Sequence, residues 1–279
     1  MTRLHDLFDQ EGQSPWLDNL RRDWIHNGQL QDWIDQGVRG LTSNPSIFQK
    51  AIAGSDDYTE QFGELLAGGA SVEDSYWGLV KTDIEGALAL LRPTYDASEG
   101  IDGYVSVEVD PGLARDTDGT AAAARELWDA IDEPNLYIKI PGTAEGLPAI
   151  QQMLSEKRSI NVTLLFSIDR YREVMEAYLA GLEAAEGDLS AVSSVASFFI
   201  SRVESEVDAR LDAIGTPAAL ALKGKVAVAN GQLAYQAFLD TFSGARWEAL
   251  VERGARVQRP LWASTSTKNE AYPDTLYVD

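Results

Sequence analysis

The sequence predicts an α/β protein of the (β/α) barrel class, and two observations lead to this prediction. Short strand-like runs alternate with longer helical runs along the 279 residues, as a parallel sheet with right-handed crossovers requires. Several of these strands also carry polar groups on one face and aliphatic groups on the other. An open sheet with helices on both faces should be apolar on both, whereas barrel strands meet helices only on the outside. The polar faces are therefore expected to point into the barrel.

Seven strand candidates follow one another along the chain, and we expect one domain over residues 1–279. The candidates are WLDNL (16–20), VRGLTS (38–43), YVSVEVD (104–110), LYIKIP (136–141), INVTLLF (160–166), VSSVASFFI (192–200) and RPLWAST (259–265). The clearest helix covers Ser167 to Leu182, where apolar residues recur every three or four positions and Ser167 can cap the first turn. No eighth strand is found before Asp279, so the eighth strand and the last helix are expected to be missing from this chain.

Composition excludes several classes of function. The net charge of −21 disfavours nucleic acid or an anionic membrane surface as a partner. The absence of cysteine removes a thiolate nucleophile, and two histidines, His5 and His26, disfavour a Ser-His-Asp triad or a histidine-rich metal site. The N-terminus lacks the pattern of a signal peptide, and no apolar run could span a bilayer. The expected location is the cytoplasm.

The segment LYIKIPGT (136–143) places a lysine inside a strand of apolar residues. A charged ammonium group is costly to bury unless it is paired or loses its proton. Lys139 could therefore reach solvent or a carboxylate as a structural residue. It could also be kept partly neutral as an amine nucleophile. Taken alone, this strand favours the structural interpretation.

Polar residues lie on the inward faces of four consecutive predicted strands, and together they bear on the choice between the two interpretations of Lys139. Each has a structural explanation by itself, such as an ion pair, a tie between strand ends or a small packing residue. Their common placement near one mouth of a barrel instead favours a catalytic site with Lys139 as its nucleophile. The inward set is Glu108, Lys139, Asn161, Thr163 and Ser197.

The sequence resembles the transaldolases of the longer bacterial type. Five segments carry the resemblance, in the order that the family has and across almost the entire chain. They are GLTSNPSIF (40–48), VSVEVDPGLARD (105–116), YIKIPGT (137–143), INVTLLFS (160–167) and SFFISRVESEVD (197–208). The resemblance implies a (β/α)8 barrel of the class I aldolase type, with no metal and no other cofactor.

The resemblance also implies catalytic roles for four residues. Lys139 matches the lysine that forms a Schiff base with a ketose phosphate, and Asp18 matches the acid/base for the hydroxyl proton. Glu108 matches a carboxylate that works through a catalytic water, and Thr163 matches the residue that positions this water. The implied reaction transfers a dihydroxyacetone unit from sedoheptulose 7-phosphate or fructose 6-phosphate to an aldose phosphate, as part of the pentose phosphate pathway.

Five further residues match substrate-binding positions of the family. Asn44 and Asn161 match the amides that hold the dihydroxyacetone hydroxyls, while Ser197 and Arg202 match the phosphate site. Lys268, in STSTKN, falls where the family places a second phosphate-binding cation, often arginine. The expected partners are small sugar phosphates, and a homodimer is an open prediction.

Two other functions stay open on the sequence. The first is a related Schiff-base aldolase that releases dihydroxyacetone without transferring it, since acceptor choice depends on details of the pocket. The second is an inactive barrel fragment that only binds sugar phosphates. The intact set of Asp18, Glu108 and Lys139 argues against the second.

Overall fold

The structure is a computed structural model that describes residues 2–278. It falls into two compact units, one formed by Met1–Gly112 and Ala122–Lys139, the other by Leu113–Ala121 and Ile140–Asp279. Each unit is built from parallel strands and the helices that connect them. The expectation of one domain over residues 1–279 stays a prediction.

The first unit contains strands β1 to β3 and most of β4. These strands are parallel, and each pairs with its predecessor in the chain, with Leu17 opposite Leu41, Leu41 opposite Val105 and Val107 opposite Ile138. Their bounds are Trp16–Asp18 (β1), Gly40–Thr42 (β2), Val105–Glu108 (β3) and Leu136–Pro141 (β4).

Aromatic rings fill the polar faces of these strands at the level below the charged residues. Tyr104 and Tyr137 stack with ring centres 4.1 Å apart, and Trp16 stacks on Tyr137 at 6.1 Å. Both tyrosines are buried. The predicted alternation is therefore confirmed, because Tyr137 lies two residues before Lys139 on the same face of β4.

Asn44 and Ser71 cap the first turns of two helices in the first unit. The longest starts after Ser71, whose hydroxyl accepts from the backbone N–H of Asp74 at 3.0 Å, while the Asp74 carboxylate accepts from the backbone N–H of Ser71 at 3.3 Å. The helices are Arg3–Glu11 (α1), Arg22–His26 (α2), Gln29–Asp35 (α3), Pro45–Ala53 (α4), Thr59–Ala67 (α5), Val72–Ala97 (α6) and the larger part of Thr117–Ile131 (α7), with a short 3₁₀ turn at Asp56–Tyr58.

The second unit repeats the strand–helix pattern. Asn161 lies opposite Val195, and Ser197 lies opposite Leu261, again in parallel register. The strands are Ile160–Leu165 (β5), Ser194–Phe199 (β6) and Arg259–Ala263 (β7). The helices are Gly146–Ser155 (α8), Ile168–Ala184 (α9), Ser201–Ile214 (α10), Pro217–Leu220 (α11), Val226–Thr241 (α12) and Gly244–Val251 (α13).

The predicted elements are confirmed. Each of the seven strands found between residues 2 and 278 lies inside one of the seven candidates, and the fold is of the (β/α) barrel class. The helix predicted from Ser167 is α9, and the Ser167 hydroxyl accepts from the N–H of Arg170 at 3.3 Å. Every one of these strands except β4 is shorter than its candidate, and β2 ends before Asn44, which caps α4. Along residues 2–278, no helix has the length and apolar character that crossing a membrane requires.

Candidate active site

Lys139 and Glu108 form the centre of the site in the first unit. The Nζ of Lys139 lies 3.1 Å from Oε2 of Glu108, and the side chains are only 6% and 9% exposed. A buried charge requires a partner, and here each residue supplies one to the other. The structure therefore brings together two residues that the sequence assigned to the same inward face.

Strand register produces this ion pair. Glu108 lies directly opposite Lys139 across the β3–β4 ladder, so both side chains leave the sheet on the same face. The Nζ of Lys139 also donates to the backbone carbonyl of Ser43 at 3.1 Å. The Ser43 hydroxyl in turn donates to the carbonyl of Ser106 at 2.7 Å. The carboxyl ends of β2 and β3 thus hold the amine that β4 carries in one position.

The contact of Lys139 with Ser43 was not predicted from the sequence. Ser43 acts through its backbone carbonyl, which every residue has, so no side-chain signal could reveal it. The local signal is the turn from β2 into α4, where Asn44 follows as the cap. A carbonyl at the carboxyl end of a strand commonly points at the mouth of a barrel.

Asp18 and Asn44 occupy the ends of β1 and β2. Asp18 is the last residue of β1, is exposed, and lies opposite Thr42 in the ladder. The side chain of Asn44 accepts a hydrogen bond from the N–H of Ile47 at 3.1 Å, which caps α4. The Asn44 amide nitrogen is not needed for that cap and can donate to a ligand.

Asn161 and Ser197 meet in the second unit. The Ser197 hydroxyl donates to Oδ1 of Asn161 at 2.8 Å, and both side chains are buried. This contact joins β5 and β6, as expected for neighbouring parallel strands. It also fixes the orientation of the Asn161 amide, whose NH₂ group is directed away from Ser197.

Thr163 lies at an irregularity in β5. The register with β6 shifts between Val162 and Leu165, and Leu164 has a positive φ of 62°. Positive φ is costly for a residue with a Cβ and is found at bulges and functional sites. The Thr163 hydroxyl is buried and has no hydrogen-bond partner among the described residues. A buried hydroxyl without a partner is the natural position for a bound water or substrate atom.

Arg202 and Lys268 are exposed cations of the second unit. Arg202 is the second residue of α10, and its guanidinium lies 4.7 Å from the centre of the Phe199 ring. Amides at a helix N-terminus attract anions, which adds to the arginine charge. Lys268 follows β7, and its ammonium donates to the Ser266 hydroxyl. Both cations follow the carboxyl end of a strand of the second unit, Arg202 after β6 and Lys268 after β7.

The sequence is similar to that of known proteins along nearly the whole chain. Residues 15–279 match the transaldolase/fructose-6-phosphate aldolase family. A protein of Thermobifida fusca named transaldolase is 55% identical over 99% of this chain and 76% of its own length. A transaldolase of Parafrankia sp. is 53% identical over 99% of this chain and 75% of its own length. Transaldolase 2 of Streptomyces coelicolor is 50% identical over 100% of this chain and 76% of its own length.

The fold and the similarity together define an enzyme of the (β/α) barrel class. The match covers nearly all of the chain, including every segment that carries a predicted site residue. The chain belongs to the transaldolase/fructose-6-phosphate aldolase family.

Proposed function

We propose that this chain catalyses transaldolase transfer through a Schiff base on Lys139. The observation that carries the proposal is the buried amine of Lys139, 3.1 Å from both the Glu108 carboxylate and the Ser43 carbonyl. The three-carbon unit passes from a ketose phosphate to an aldose phosphate. The enzyme works in the cytoplasm and requires no bound cofactor, because the imine itself accepts the electrons of the broken bond.

The first half of the reaction forms and uses the imine. The neutral amine of Lys139 attacks the ketone carbon, and loss of water leaves an iminium. Glu108 receives the proton that the ammonium must lose and returns it, through a water held by Thr163, to the departing hydroxyl. Asp18 then removes the proton of the C4 hydroxyl while the C3–C4 bond breaks. The aldose phosphate leaves, and the bonding electrons remain on Lys139 as an enamine.

The second half reverses these steps on another aldehyde. The enamine carbon attacks the acceptor carbonyl, and Asp18 returns the proton to the new hydroxyl. Water hydrolyses the iminium and frees the ketose. Asn44 and Asn161 hold the hydroxyls of the three-carbon unit, while Ser197, Arg202 and Lys268 hold the phosphate.

The decisive test is to trap the covalent intermediate. Borohydride reduction in the presence of fructose 6-phosphate is expected to leave a three-carbon adduct on Lys139, located by peptide mapping. Lys139→Arg is expected to abolish both the adduct and turnover, because a guanidinium stays protonated. Lys81→Arg, at a partly exposed lysine of α6, is the matched control and should retain both. An adduct on another lysine would refute the assignment.

Product analysis separates transfer from simple cleavage. With fructose 6-phosphate and erythrose 4-phosphate, a transaldolase produces sedoheptulose 7-phosphate. An aldolase releases free dihydroxyacetone with or without the acceptor. Equal dihydroxyacetone release under both conditions would replace transfer by the aldolase alternative.

A further inference from the structure

The segment that follows β7 is fastened to α10 at two points. The N–H of Ser201 donates to the carbonyl of Ser264 at 3.0 Å, and the two hydroxyls lie 2.8 Å apart. Further along, the Tyr272 hydroxyl donates to Oδ2 of Asp208. Ser201 and Asp208 are seven residues apart on α10, about 10 Å along a helix. The segment therefore follows the first two turns of this helix.

At the second point the carboxylate is buried, while the tyrosine ring is half-buried and closely packed. Asp208 is 7% exposed, and its Oδ1 accepts from the N–H of Gly224 at 3.3 Å. Gly224 has φ of 73°, and a Cβ at this position would lie 3.1 Å from Cζ of Tyr272. The Tyr272 ring thus uses the space that the glycine leaves open. A hydrogen bond to a carboxylate in such a place is stronger than one in water.

Several ionisable groups surround the contact between Asp208 and Tyr272. Glu204 lies one helical turn before Asp208 and is 2% exposed. Burial raises the pKa of Glu204, and the charge of Asp208 raises it further. Burial also raises the pKa of Tyr272, with contributions from Asp208 and Glu204, so its hydroxyl stays a donor. Tyr277 faces the same carboxyls, while Lys223 is paired with Asp212.

Lys268 lies midway between the two fastened points. It is four residues after Ser264 and four before Tyr272. A local turn shortens the second half, since the N–H of Tyr272 donates to the carbonyl of Asn269 at 3.0 Å. A chain fixed at both ends loses conformational freedom before a ligand arrives, which lowers the entropic cost of binding.

We propose that Tyr272 is a positioning residue for phosphate binding, which acts by holding the Lys268 segment against the helix that carries Arg202. The proposal rests on the phosphate role of these two cations in the proposed function. Tyr272 does not contact the phosphate in this scheme. It reduces the number of positions that Lys268 can take.

The primary test is Tyr272→Phe, which removes only the hydroxyl. The KM for fructose 6-phosphate and the inhibition constant for inorganic phosphate are expected to rise about three- to tenfold, as for loss of one hydrogen bond, with kcat within twofold. Activity on unphosphorylated fructose should not change. Tyr235→Phe, which removes a hydroxyl from α12, is the matched control. An equal loss with fructose and fructose 6-phosphate would overturn the proposal.

A double-mutant cycle tests the route through Lys268. On a Lys268→Ala background, Tyr272→Phe is expected to add nothing to the KM for fructose 6-phosphate. If Tyr272→Phe raised this KM by the same factor with Lys268 and with Ala at position 268, the proposal would be overturned. As a second variant pair, Asp208→Asn keeps an acceptor for Tyr272 and should preserve the KM, whereas Asp208→Ala should behave like Tyr272→Phe. An unchanged KM in Asp208→Ala would also count against it.

Failure of this inference can be distinguished from failure of the proposed function. If the wild-type chain shows no transfer and no lysine adduct, the proposed function fails. Calorimetric titration with inorganic phosphate then still tests Tyr272. Weaker phosphate binding by Tyr272→Phe would support the positioning role, and equal binding would overturn it.

Discussion

In the proposed function, Lys139 must satisfy two opposed requirements. A buried ammonium needs a counter-charge, and a nucleophilic amine needs somewhere to send its proton. Glu108, 3.1 Å away, supplies the counter-charge, and in the proposed function the same carboxylate receives the proton. The buried ion pair is therefore compatible with both the structural interpretation of this lysine and the proposed catalytic one.

Arg202 and Asp18 should affect different kinetic constants. Arg202→Ala is expected to raise the KM for fructose 6-phosphate by about ten- to a hundredfold, the effect of losing a charge-assisted hydrogen bond. Asp18→Asn keeps the shape of the side chain and removes the base, so kcat should fall by about 10² to 10⁴. Steady-state kinetics on both substrates measure the two effects.

A matched control for Arg202 lies on the same helix. Arg210 is exposed on α10 and paired with Glu206, so Arg210→Ala removes one cation from α10 without touching its first turn. Its KM should remain near the wild-type value. If Arg202→Ala and Arg210→Ala raised KM equally, general charge and not a phosphate site would explain the effect.

The sequence predicted the common face of Glu108 and Lys139 better than the local backbone geometry around them. The strand period of two placed Glu108 and Lys139 on one face, and the ladder register makes them partners. The bulge that gives Leu164 a positive φ could not be predicted, because leucine has no preference for that conformation. The carbonyl of Ser43 was missed for a similar reason, since a backbone acceptor leaves no side-chain signal.

Helices α2 and α6 are joined by a buried ion pair. Nε of Arg22 donates to Oδ1 of Asp83 at 2.7 Å, and the Tyr58 hydroxyl donates to Oδ2 at 2.8 Å. The Arg22 guanidinium also lies 4.4 Å from the centre of the Tyr58 ring. Arg22 and Asp83 are 5% and 1% exposed. All charged atoms of this contact are satisfied inside the unit, which is the condition for burying them.

Arg22→Met should therefore destabilise the fold strongly. It removes one partner and leaves the Asp83 carboxylate buried, at an expected cost of about 3–5 kcal/mol in the free energy of unfolding. Arg21→Met is the matched control, because Arg21 is 43% exposed and pairs with Asp23 near solvent; its expected effect is within about 1 kcal/mol. Urea denaturation measures both. Similar losses for the two neighbours would contradict the importance of the buried pair.

Elements that depend on local sequence signals could be predicted, whereas contacts between residues distant in the chain could not. The start of α9 was predicted because Ser167 and a long apolar stripe are local signals. The ion pair of Arg22 was not predicted, because it joins residues 61 positions apart that only the folded chain brings together. The short length of β1 also depends on the ladder with β2, which local sequence does not specify.

The whole molecule carries a net charge of −21, and its polar interactions must be considered against that background. Mutual repulsion of surface carboxylates destabilises a compact state. Exposed clusters offset part of it, such as Arg246 between Glu176 and Glu183, although such pairs are individually weak. Buried carboxyls respond differently, because solvent does not stabilise their charge.

Glu204 should make the stability of the molecule fall as pH rises. Its pKa is raised in the fold, chiefly by burial and then by Asp208, above the ordinary value of 4.5. Above pH 4.5 the unfolded chain therefore loses this proton before the folded chain does. The folded state then holds more protons than the unfolded state, and the free energy of unfolding falls with rising pH. The stability that the protonated Glu204 contributes to the free energy of unfolding is fully present below pH 4.5. It is lost by the pH at which Glu204 ionises in the folded chain.

Glu204→Gln should remove this dependence, because the amide cannot ionise in either state. Any cost of replacing the packed carboxyl is the same at every pH. The test is therefore how the free energy of unfolding changes with pH, and not its value at one pH. Glu206→Gln is the matched control: it removes one charge from an exposed position of the same helix and changes the net charge by the same amount. Denaturant titrations between pH 4.5 and 8 should show Glu204→Gln gaining stability on the wild type as pH rises. Parallel curves for wild type and Glu204→Gln would show that Glu204 ionises alike in the folded and unfolded chains, and that the overall charge alone sets the pH dependence.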